Sequence, residues 1–135
     1  MKLAESAVKK LLDSHAGLTA LIGTSSYELM LPQSPSYPCI TYYRTSTPQR
    51  MSMMGADSDI VRPIISVAAW SPVNADVKAV CAQVIACLRR YRGTVAVTSG
   101  SIEVLDIYLH NEIYSFDDVA RIYTATLDFE IVHRE

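Results

Sequence analysis

"IVRPIISVAAWSPVNADVKAVCAQVIACLRRYRG", residues 60–93, passes from an extended apolar run into a helical pattern with almost nothing between them. In the first part Val61, Ile65, Val67 and Ala69 fall on one face of a strand, whose side chains alternate with a period of two. Pro63 has no N–H to give to a ladder, so it predicts an edge strand or a bulge at the start of the run. In the second part Val77, Val80, Cys81, Val84, Ile85 and Leu88 recur at helical spacing and predict a buried stripe. Ser71 or Asn74 suits the cap, Pro72 the first turn and Asp76 the positive end of the helix. Arg89, Arg90 and Arg92 fall in the last turn before Gly93, where the helix dipole favours cations. A strand that feeds a helix directly, in a chain otherwise rich in short extended runs, predicts an α+β fold.

Upstream, Leu3, Ala7, Val8, Leu11 and Leu12 lie on one face and Lys2, Glu5, Lys9, Lys10 and Asp13 on the other, which predicts an amphipathic helix stopped at Gly17. Leu18, Leu21 and Ile22 suit one further helical turn before Gly23, and "YELML" a short strand. The lead-in "LPQSPSYPCITYYR", residues 31–44, carries Pro32, Pro35 and Pro38, which hold 31–38 extended and put the strand proper after Pro38. There Ile40, Tyr42 and Arg44 alternate with Cys39, Thr41, Tyr43 and Thr45. Downstream of the helix come "TVAV", a "TSGS" turn and "IEVLDIYL". A last strand follows, with Tyr123, Ala125, Leu127, Phe129 and Ile131 on one face and Thr124, Thr126, Asp128 and Glu130 on the other. The order read this way is αβββαββ. It predicts a single domain over residues 1–135, with a mostly antiparallel or mixed sheet of four to five strands and two helices packed on one face.

A chain of 135 residues, 50% apolar and 19% charged, is long enough for one hydrophobic core without disulfides or metals. Its formal charge of −2 lacks the basic excess expected of a protein whose main partner is nucleic acid or an acidic membrane. Cys39, Cys81 and Cys87 do not have the short spacing of a zinc or redox pair and read as reduced, buried thiols. The N-terminal apolar residues are broken by Glu5, Ser6, Lys9 and Lys10, and no stretch is long enough to span a membrane. A cytoplasmic origin is the default expectation.

No constellation of catalytic side chains emerges. Asp128 and Glu130 project from one strand face about 6.6–6.8 Å apart, a separation paired carboxylates use, but Thr124 and Thr126 continue the same stripe and read as an outward polar face. His15, His110 and His133 share no ligand spacing and read as surface or boundary residues, and "TSGS" supplies neither a nucleophile turn nor a phosphate loop. Cys39 sits in an apolar strand that suits inert burial better than nucleophilic work. The sequence therefore predicts no enzyme, no metal and no cofactor. The most unusual composition is "PQRMSMMGADSD", residues 48–59, a long connection with no period, in which Met51, Met53 and Met54 lie between Arg50 and Asp57. Methionines exposed on such a loop are adaptable contact residues.

The order of these segments resembles the tail completion, or tail terminator, proteins of long-tailed phages and prophages. The likeness rests on the N-terminal amphipathic helix, the "LPQSPSYPCITYYR" lead-in, a variable loop, "SVAAWSPVNADVKAVCAQVIACL" and the terminal "YSFDDVARIYTATLDFEI" with Tyr123, Asp128 and Phe129, and it runs over nearly the whole chain. It implies a structural protein of the virion, forming a ring, usually six-fold, that caps the tail tube, ends its polymerisation and joins tail to head. The implied partners are further copies of the chain, the major tail tube protein and a head connector protein, without sequence-specific nucleic-acid or membrane binding. The implied location is the head-tail junction, with the host cytoplasm before assembly. Contact residues expected for such an assembly, from the long unpatterned loop and the strands apolar on both faces, are Arg44, Arg50, Met51, Met53, Met54, Asp57 and Arg62. The same fold also suits a head-side connector or capsid-decoration component, or a small-ligand-binding or enzymatic α+β domain with a pocket of perturbed titrating groups.

Overall fold

The computed structural model describes residues 4–33, 35–47, 60–97 and 100–134. Three helices and seven strands follow in the order α1 (Ala4–Ser14), α2 (Ala16–Ile22), β1 (Ser26–Glu28), β2 (Cys39–Ser46), β3 (Ile60–Val61), β4 (Ile64–Ser71), α3 (Asn74–Leu88), β5 (Gly93–Val97), β6 (Gly100–Asp117) and β7 (Ile122–Arg134). All seven strands form one sheet, ordered β1-β2-β4-β7-β6-β5, with β3 added at the far end of β7. β1 runs parallel to β2 and every other pairing is antiparallel. This corrects the expectation of four to five strands and two helices in the order αβββαββ.

The additional elements have identifiable causes. Pro63 ends one strand and begins another: β3 stops before it, β4 starts after it, and its carbonyl accepts a hydrogen bond from Ile131 N–H at 2.9 Å. β4 is then an interior strand, flanked by β2 and β7, and not the edge that the proline suggested. The N-terminal helix breaks at His15, whose extended backbone (φ −87°, ψ 108°) separates α1 from α2. Gly17 lies inside α2, where the Gln83 side chain of α3 crosses so closely that an added Cβ would stand 2.2 Å from Gln83 Oε1. Gly23, at φ 60°, is the true stop, its N–H donating to the Thr19 carbonyl at 2.8 Å.

The sheet curls into a half-barrel around the helices. α3 packs on β4 and β7, α2 on α1 and α3, and α1 reaches both β2 and β5, which lie on opposite sides of the central strands. The concave face carries the alternation read from the last strand: Ala125, Leu127, Phe129 and Ile131 are buried, and Phe129 is fully covered. Ile65 lies opposite Phe129 and Val67 opposite Leu127, so β4 and β7 present one continuous apolar surface to α3. From the helices, Val8, Leu12, Leu18, Val80, Val84 and Leu88 close this core. On the convex face the polar groups bond across strands: Trp70 Nε1 donates to Thr41 Oγ1 at 3.0 Å, and Ser66 Oγ donates to Asp128 Oδ1 at 2.6 Å.

Phe129 is the largest fully buried side chain of this core. Phe129→Ala is expected to cost about 3–5 kcal/mol, lowering the urea midpoint with an unchanged slope. A loss below about 1 kcal/mol would show that the core is not centred there.

Candidate functional site

Among the described residues, those singled out from sequence do not come together. Arg44, on the helix-facing side of β2, pairs with Glu5 of α1 and donates to Thr47 Oγ1 at 2.9 Å, so it straps helix to sheet. Arg62, between β3 and β4, stands 3.9 Å from Glu130 on the convex face. Arg50, Met51, Met53, Met54 and Asp57 lie outside the described residues. Asp128 and Glu130 are neighbours on the convex face but are engaged separately, Asp128 with Ser66 and Glu130 with His110 Nε2 at 3.1 Å. His15 bonds Gln83, and His133 is not the surface or boundary residue expected. It is buried, with its Nδ1–H donating to the Arg134 carbonyl at 2.9 Å. Among the described residues no group of three or more His, Cys, Asp or Glu side chains is placed to hold a metal ion. Among the described residues no helix is long and apolar enough to cross a membrane.

What the sheet leaves open is the outer half of β6. β5 pairs with it only from Gly100 to Val104, whereas β7 accompanies it to Asp117. Beyond Ile107, whose carbonyl accepts from Arg90 N–H at 2.8 Å, β6 has no strand on its far side among the described residues. Every residue from His110 to Arg121 is exposed, including Ile113 and Tyr114. An edge of this length with apolar side chains is a template for pairing unless it is blunted or covered.

The turn at its end is built to hold shape. Asp117 Oδ1 accepts from the N–H groups of Val119 (2.9 Å) and Ala120 (3.1 Å), and its carbonyl accepts from Arg121 N–H at 2.7 Å. Arg121 adopts φ 59° and lays its guanidinium over the Phe116 ring at 5.5 Å, while Phe116 and Tyr123 stack with centroids 4.5 Å apart. This frame displays Val119 at 95% exposure. Beside it a shallow groove of about 260 Å³ runs between Tyr114, Phe116 and Tyr123 of the hairpin and Asn74 and Val77 of α3.

Sequence reading missed this surface because a bulge at His110 breaks the period: Leu109 faces Phe129, but the next residue on the concave side is Glu112, opposite Leu127. The available signal was "IYSF" and "IY" flanking the turn-forming "DDVAR".

A second exposed surface lies at the other end of β6. After α3, Arg90 turns the chain with φ 62°, and the Arg90 and Arg92 guanidinia stand 2.9 and 3.3 Å from Asp106 Oδ2. Burial opposes ionisation of Asp106. The Ile107 N–H bond and the two arginines outweigh it and hold the carboxyl below its ordinary 3.8. Arg90 also covers the half-exposed Tyr108 ring at 5.1 Å, and Arg89 beside it is exposed.

No protein-family model matches the sequence, and no curated protein does. Among solved structures, a chain of the virion of the native gene transfer agent particle superposes with TM-score 0.73 at 20% identity, over 96% of this chain and 92% of that one. The likeness is one of fold. A second solved chain superposes with TM-score 0.55 at 11% identity, over 98% of this chain and 96% of that one.

Burial raises the Cys39, Cys81 and Cys87 thiols from 9.0 to about 11, so a thiol reagent at about pH 8 should label the buried Cys39 and Cys81 only as fast as the chain unfolds, and the half-buried Cys87 slowly. Because the unfolded chain loses these protons near 9 and the folded chain near 11, stability should fall as pH climbs through that window. By contrast, Val119→Asp should leave the unfolding free energy within about 0.5 kcal/mol of wild type, since the side chain touches nothing that folding buries.

Proposed function

We propose that this chain is a structural protein of a phage-like virion, forming a ring of six copies that caps the tail tube, ends its polymerisation and joins tail to head. The observation that carries the reading is the end-to-end likeness of fold to a chain of the gene transfer agent virion, with nothing substantial left over on either side. The order of segments that resembles the tail terminator proteins points the same way. The partners in this reading are further copies of the chain, the tail tube protein and a head connector protein, and its place is the head-tail junction of the virion.

Physical features of the molecule support such a role. A ring subunit must offer surfaces that differ from one another, because heterologous contacts close only when one patch meets a different patch at a fixed angle. The open half of β6 and its braced turn meet that demand with little conformational entropy left to lose on docking. The Glu5–Arg44 strap and the core behind it keep the sheet edges in fixed relation. The 48–59 connection joins β2 to β3 and is assigned in this reading to a contact with the tube, a neighbour or the lumen.

Mixing the purified chain with its tail tube subunit, followed by light scattering and negative-stain imaging, tests the reading. Rings at tube ends and tubes of limited length are the expected result. Val119→Asp, or replacement of 48–59 by a tight turn, should leave tubes uncapped. A chain that binds portal or head proteins and ignores the tube would transfer the role to the head side, and wild-type capping by the shortened-loop variant would remove that loop from the account.

A further inference from the structure

Strand β6 carries unlike charge at its two ends. Around its first half lie Arg89, Arg90, Arg92 and Arg134, against Glu103 and Asp106 and, opposite Tyr108 on β7, Glu130, which Arg62 and His110 approach. Around its last half and turn lie Glu112, Asp117 and Asp118, against Arg121 alone. At about 3.3 Å per residue the strand holds its turn roughly 35 Å from Asp106, so the two ends cannot meet within one molecule.

The surfaces match in more than charge. The turn offers Val119, fully displayed, with Ile113 and Tyr114 behind it on the open edge. The arginine surface offers the half-exposed Tyr108 ring beneath Arg90, and arginine with tyrosine is the composition that dominates well-packed interface centres. An isologous contact of turn against turn would set Asp117 and Asp118 against their own copies, and arginine against arginine would be equally repulsive.

We propose that the β6–β7 turn of one copy docks on the Arg89–Arg90–Tyr108 surface of the next, a head-to-tail contact between copies of this chain. The proposal rests on the ring reading above and names the pair of surfaces that would close it. Asp118 faces Arg89 in this contact, and Val119 covers Tyr108. Asp117 keeps its place as the acceptor that shapes the turn, and Asp106 keeps Arg90 and Arg92 in position from behind.

The test uses the full chain, alone and with tube subunits present. Asp118→Arg and Arg89→Glu, neither of which removes a bond that shapes the fold, should each weaken self-association about tenfold by sedimentation. The double variant carrying both on one chain should recover wild-type association, since the reversed charges again face each other. Under oxidising conditions, a mixture of Val119→Cys and Arg89→Cys chains should give a disulfide-linked dimer that neither gives alone. Failure of the double variant to recover, a cross-linked dimer from Val119→Cys alone, or a chain that does not self-associate even with tube present would each overturn the contact. Cross-linked dimers from a chain that leaves tube length unaltered would uphold the contact and overturn the capping role instead.

Discussion

The pairing of β4 with β7, with Ile65 opposite Phe129 and Val67 opposite Leu127, is the constraint from which the rest of the structure follows. It makes one apolar surface of two strands far apart in sequence, and α3, which leaves β4 within two residues, has no other place to bury Val77, Val80 and Val84. A one-residue slip would send Phe129 to the convex face and bring Asp128 into the core, which the strand's alternation forbids. With that register set, β2 adds on one side of the pair and β6 on the other. The sheet then curls until α1 touches both β2 and β5.

The same constraint decides what is left exposed. β7 is flanked by β4 from Tyr123 to Glu130, so the outer half of β6 is carried along as the next strand whether or not anything covers it. β5 is only five residues long and covers the first part of β6 alone. The result is an ordered but open edge, ending in a turn held by Asp117, Phe116 and Arg121. Folding thus supplies rigidity to residues that contribute little to the core, which is what an interaction surface requires. The titrating groups fit this picture: the thiols are pushed up by burial, and the lowered carboxyl, Asp106, anchors two arginines.

Those parts of the fold whose residues face a core on one side were legible in the sequence. The alternation from Tyr123 to Ile131 and the stripe from Val77 to Leu88 are direct imprints of burial and are found in β7 and α3, although α3 starts after Val73 without a side-chain cap and ends at Leu88, so Pro72 and the arginines expected in its first and last turns lie outside it. Pro38 likewise marked the start of β2. Pro63 was legible as an interruption but not as a boundary between two strands, because its role depends on a hydrogen bond from Ile131, about seventy residues away in sequence. Gly17 was misread as a stop because its reason is the crossing of Gln83, a tertiary contact without a local signature. The exposed half of β6 was illegible for the opposite reason. A strand without a core on either face carries no period, and the bulge at His110 removes even the continuation of the one before it.

The central claim, that the outer half of β6 is an edge kept open for another chain, is tested most directly by amide hydrogen exchange on residues 108–117 in the free and the assembled protein. In the free chain the amides that point away from β7 should exchange rapidly, while those of residues 122–130, held between β4 and β6, are protected. Assembly should then slow the outward β6 amides and leave β7 as it was. Outward amides that exchange at the same rate in both states would contradict the claim and leave this edge without a partner.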